Sequence, residues 1–97
     1  MDRAEKKRLK KAWAARQRAE GRARLPMTFE AFKQLFDWLD KALPGFGCDH
    51  STRLTTAWLV ERSHDVEAVL AWCADNGGHC DCEVLGNCEQ NVEALKD

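Results

Sequence analysis

The stretch MTFEAFKQLFDWLDKALPGFG, residues 27–47, decides the fold class. Phe29, Phe32, Leu35, Phe36, Leu39 and Leu43 recur at three- and four-residue steps, the period of one buried face of an α-helix. Thr28 offers a hydroxyl to cap the first turn, and Met27 can staple against Phe32 one turn on. Pro44-Gly45-Phe46-Gly47 supplies the stop. An amphipathic helix from Phe29 into this tetrapeptide is expected.

Towards the C-terminus the same period continues more weakly. A third helix is expected through about Arg62, capped by Ser51 or Asp49 and burying Leu54, Ala57 and Trp58. Asp65 caps a fourth, with Val66, Val69, Leu70 and Cys73 on one face, and Asn76-Gly77-Gly78 forms its left-handed stop. Trp72 lies off that face, free to cover the Cys-containing loops or meet a partner. Asp81 can cap a fifth helix, on which Val84, Leu85, Cys88, Val92 and Leu95 share a face. Gly86 weakens that helix by roughly 1 kcal/mol relative to alanine. A short strand near residues 80–85 is the alternative, because so few residues do not define a period. The fold class is all-α: a small bundle of four to five helices with antiparallel neighbours set by short loops.

Towards the N-terminus the composition changes. Residues 1–24 hold ten Lys/Arg against three acids, a net +7, whereas residues 25–97 hold five against thirteen, a net −8. The chain therefore divides into a basic helical arm, 1–24, and a compact body, 25–97. The arm is rich in helix formers, and its apolar face is thin: Leu9, Ala12, Trp13. Lys6, Lys7, Arg8, Lys10, Lys11, Trp13, Arg16 and Arg18 are its candidate contacts. Such a segment suits structured RNA or an acidic protein surface, including the body of a second copy in a homodimer. A solvated charge run is the plainer reading. No apolar stretch reaches membrane-spanning length and no signal-like h-region opens the chain, so a cytoplasmic location without membrane contact is expected.

Five cysteines, an odd number in a chain without an export signal, favour metal binding or buried thiols over a disulfide framework. Cys73 and Cys88 lie on apolar helix faces and are assigned to the core. Cys48-Asp49-His50 and Cys80-Asp81-Cys82 each precede an expected helix. Together Cys48, His50, Cys80 and Cys82 provide three thiols and an imidazole, the donor set of a closed tetrahedral Zn²⁺ site. The one-residue spacings depart from the usual C-x₂-C pairs, and Asp at each centre suits a tight turn. His79 could replace His50, and His64 reads as a turn residue. Two other readings use the same residues: a metal-free cluster in a helical oligomerisation domain, or a thiol-dependent redox or catalytic protein using Cys80 and Cys82 with His50. No phosphate loop or HExxH motif is present, so a non-enzymatic interaction module is favoured over an enzyme.

The strings Cys48-Asp49-His50-Ser51-Thr52-Arg53-Leu54-Thr55 and Gly77-Gly78-His79-Cys80-Asp81-Cys82-Glu83-Val84-Leu85-Gly86-Asn87, with Trp72 between them, resemble the DUF2695 family of small bacterial proteins of unknown function. The likeness covers roughly residues 25–92. It implies a bacterial source and emphasis on the Cys-Asp-His and Cys-Asp-Cys-Glu positions, and it names no reaction.

Overall fold

The computed structural model describes residues 2–96, and no strand occurs among them. Five helices follow one another: α1 (Arg3–Ala23), α2 (Phe29–Phe46), α3 (Arg53–Glu61), α4 (Val66–Asp75) and α5. Helix α5 is continuous in three pieces, Asp81–Glu83, a π-helical turn Val84–Cys88, and Glu89–Ala94. The all-α expectation holds, and the strand alternative does not.

Helix α2 is the spine of the body. Thr28 caps it by accepting from the Ala31 amide at 3.1 Å, and Phe32, Leu35, Phe36 and Leu39 are buried along one side. The helix ends within the expected Pro44–Gly47 stop, at its glycine and not at its proline. The last turn runs through it to Phe46, and Gly47 at φ 74° ends it, donating to the Leu43 carbonyl at 2.7 Å. A proline this near the C-terminus forfeits one hydrogen bond in a turn that is already fraying.

Trp58 and Leu59 of α3, Val69 and Cys73 of α4, and Val84, Cys88 and Val92 of α5 complete the core. Ala57, expected inside, is exposed; Thr55 and Leu59 are buried instead. Trp72 meets the ring of Phe32 at 5.2 Å rather than covering the Cys loops. His64 stacks on Trp58, with ring centroids 5.4 Å apart, as befits a turn residue tucked against the core.

Two chain reversals bring the sulfur-bearing loops together. Asp65 caps α4 through the Ala68 amide. At its far end Gly77 takes φ 79°, and the Gly78 and Gly77 amides return to the Cys73 and Ala74 carbonyls at 2.7 and 3.2 Å, the expected left-handed stop. A Cβ on Gly78 would lie 2.5 Å from the Cys88 sulfur, so only glycine lets α5 pack this closely. Asn87 and Asn91 fasten α5 to the Gly77 and Asn76 carbonyls. Val84, Cys88 and Val92 lie four residues apart, a step that overshoots an α-helical turn; the wider π turn absorbs the overshoot and keeps all three buried.

Helix α1 has no buried residue. Its root is held by the Arg22 guanidinium donating to the Leu95 carbonyl at 2.7 Å. The molecule extends 55 Å in its longest dimension with a radius of gyration of 16.1 Å, against ~12.5 Å for a compact chain of this length. The projecting helix accounts for the excess.

Candidate functional site

The two Cys-containing turns meet. The Asp81 amide donates to the Ser51 carbonyl at 3.0 Å, joining the loop before α3 to the loop before α5. The Asp81 carboxylate then completes the first turn of α3: Oδ2 accepts from the Leu54 amide at 3.1 Å, and Oδ1 accepts from the Thr55 amide at 2.9 Å and the Thr55 hydroxyl at 2.7 Å. Asp81 is wholly buried, and no buried side-chain nitrogen or oxygen among the described residues lacks a partner.

This corrects the expected caps. Asp81 caps α3 from about 27 positions away in sequence rather than its own helix, whose cap position is Cys80. Thr52 occupies the α3 cap position without a side-chain bond, leaving amides at a helix N-terminus that a distant carboxylate satisfies. Asp49 instead organises its own turn, accepting from the Ser51 amide and hydroxyl and from Arg53 Nε at 3.0 Å. The Ser51 hydroxyl in turn accepts a weaker bond from the Arg53 amide at 3.3 Å. Arg53 also reaches the Phe46 and Gly47 carbonyls, closing the loop from the other side. The strained residue of this turn is His50 at φ 68°, not an aspartate.

Cys48, His50, His79, Cys80, Cys82 and Glu83 line one open pocket of about 360 Å³. All four sequence-predicted ligands are on that wall, with His79 beside them. The amides of Cys82 and His50 and the thiols of Cys82 and Cys80 hold the Cys48 thiol below its usual range. Hydrogen bonding with Cys48 pushes the Cys82 thiol up. At Cys80 the Glu83 amide pulls downward, but desolvation and the Cys48 thiol outweigh it and the net shift is upward. The most acidic sulfur of the trio is thus Cys48, not Cys80 or Cys82 as the redox reading assumed. Glu83 accepts from the His79 amide at 3.0 Å and fixes that end of the rim.

The side chains share a pocket without yet closing on one point: among the described residues, no three His, Cys, Asp or Glu groups stand in a ready metal-holding arrangement. The donor types nevertheless suit a borderline-soft cation, since three cysteines and two histidines line the same pocket. Cys73 and Cys88 take no part. Both are buried, and the Cys88 thiol lies 3.6 Å from the Cys73 carbonyl.

Sequence reasoning missed Thr55 and the structural role of Asp81. One signal was present: Thr55 is a polar residue on the buried arc of α3, and a buried hydroxyl demands a partner.

These features define a class: a small all-α body in which two cysteine turns are locked face to face, with a basic helix projecting from it. The chain belongs to the family described as "Protein of unknown function (DUF2695)", whose profile matches residues 35–87. It is 30% identical over 88 residues to uncharacterized protein Rv2271 of Mycobacterium tuberculosis (strain ATCC 25618 / H37Rv) and to uncharacterized protein Mb2294 of Mycobacterium bovis (strain ATCC BAA-935 / AF2122/97). Each match covers 91% of this chain and 89% of the relative. No solved structure matches. No described helix is long and apolar enough to cross a membrane.

Proposed function

We propose that this protein is a non-enzymatic interaction module whose body is clipped by a structural Zn²⁺ and whose α1 helix makes the contact with a partner. Cys48, His50, Cys80 and Cys82 would hold the ion. The observation that carries the reading is the buried Asp81 bridge, which spends a charged residue on holding the two cysteine turns side by side. Closing the site then asks for side-chain rotation, since the backbones are already joined at 3.0 Å. A four-ligand site leaves no open position for a reactive water, so the ion's contribution is cross-linking.

A small core supports the same view. Among the described residues thirteen buried apolar side chains form the core cluster, and cores of this size commonly add a staple. Zinc binding would add to folding free energy, because the ligands are not assembled in the unfolded chain.

The competing thiol-redox reading draws on the acidified Cys48. Alkylation with iodoacetamide at neutral pH separates the two. The zinc reading expects Cys48, Cys80 and Cys82 to be protected in the purified protein and to react after chelation, with a marked fall in melting temperature. Rapid alkylation of Cys48 without chelator, unaffected by added zinc, would refute it.

A further inference from the structure

At 3.6 residues per turn, Arg3, Lys7, Lys10 and Lys11 fall on one arc of α1 about 100° wide. Both acids of the helix, Glu5 and Glu20, lie on the opposite arc with Leu9, Ala12 and Trp13. Arg18 shares the cationic arc and Arg16 lies on the opposite one, so what is sorted is the acids, both kept away from the Arg3–Lys11 face. All four basic side chains are exposed, and none makes a hydrogen bond or ion pair with another described residue. Along the arc, Arg3, Lys7 and Lys11 rise in steps of ~6 Å, close to the separation of consecutive phosphates along a nucleic-acid strand.

From this we infer that the Arg3–Lys7–Lys10–Lys11 face binds the phosphate backbone of structured, double-stranded RNA. The inference rests on the reading of α1 as the contact element and names its partner. The arc carries no apolar side chain larger than Ala14, so it lacks the apolar anchors a protein interface is built around. It also lacks the Asn, Gln, Ser and Thr side chains that, beside Arg and Lys, read base edges in a DNA groove. A flat cationic face matches the wide, shallow minor groove of an A-form helix and its flanking phosphates. Leu9 and Trp13, 56% and 64% exposed, lie on the other arc and take no part. The acidic body repels the same polyanion, so the contact falls to the projecting α1 and not to the body.

The test is fluorescence anisotropy of the full chain with a labelled 20-base-pair RNA duplex and a DNA duplex of matched sequence, at 50 and 200 mM salt. Four phosphate contacts give a log–log slope of about −3.6, a roughly 100-fold loss of affinity over that range. The variant R3Q/K7Q/K10Q/K11Q, with glutamine preserving helix propensity, should lose at least ~30-fold at the lower salt and flatten the slope to about −1. Leu9→Gln on the other arc should bind as wild type. A wild-type slope flatter than about −1, or a glutamine variant that binds like wild type with the same far-ultraviolet dichroism, overturns the proposal. So does tighter binding to the DNA duplex, or a concentration-dependent mass that the variant abolishes while RNA is ignored, which would seat a second copy on this face. Zinc content is read in parallel: its loss with RNA binding intact refutes the metal clip alone, and the reverse refutes only this face.

Discussion

Asp49 and Asp81 each stand second in a Cys-Asp-x triplet before a helix, yet they do different work. Asp49 is exposed and bonds only residues two to four positions away, Ser51 and Arg53. Asp81 is fully buried and bonds residues 26 and 27 positions away. The first shapes a turn that water could also solvate. The second replaces water at the N-terminus of a helix it does not belong to, so removing it leaves buried donors unpaired. Identical local chemistry thus gives one turn its shape and the whole site its existence.

The sharpest way to break that contrast is Asp81→Ala. It leaves the Leu54 and Thr55 amides and the Thr55 hydroxyl unpaired, at ~1–3 kcal/mol for each buried donor, a large share of the ~5–15 kcal/mol that holds a domain together. Urea unfolding should show it, along with loss of bound zinc; a change within error would mean that the bridge does not hold the turns. Thr55→Val keeps the shape and removes only the hydroxyl bond to the same carboxylate. A hydrogen bond to a charged group is worth about 1.5–3 kcal/mol, and a double-mutant cycle with Asp81→Ala should return strong coupling. Gly78→Ala asks whether the α4–α5 approach positions the second turn. The added methyl meets the Cys88 sulfur, and such overpacking costs about 1–3 kcal/mol; Gly86→Ala, with open space around it, should not destabilise. The smallest effect belongs to Asp49→Ala, whose urea midpoint should be indistinguishable from wild type in the metal-free protein. A shift comparable to that of Asp81→Ala would erase the distinction.

What could be read ahead of the structure follows the same line between local and distant. Helix α2 was legible because Phe32, Leu35, Phe36 and Leu39 repeat at the helical period, and the caps at Thr28 and Asp65 act within three residues. The glycine stop after α4 was equally local. The Pro44–Gly47 stop was legible as a string, but not that Gly47 would end the helix, because a proline in the final turn forfeits only one hydrogen bond. The π turn at Val84–Cys88 was invisible because it answers to packing against Cys73 and Gly78, which no window of neighbouring residues contains. For the site, Cys48, His50, Cys80 and Cys82 were legible by residue type and share the pocket as expected. What brings them there was not, because an aspartate one residue from a cysteine gives no sign that its partners lie near Leu54 and Thr55.

The central claim is that the joined turns form a metal clip, and elemental analysis of the purified full chain tests it most directly. The account predicts one zinc per chain, lost in Cys48→Ser and Cys82→Ser and retained in Cys73→Ser if that variant folds. Wild-type protein that stays zinc-free after expression with added zinc, or a Cys48→Ser/Cys82→Ser protein that keeps its full complement, would contradict it.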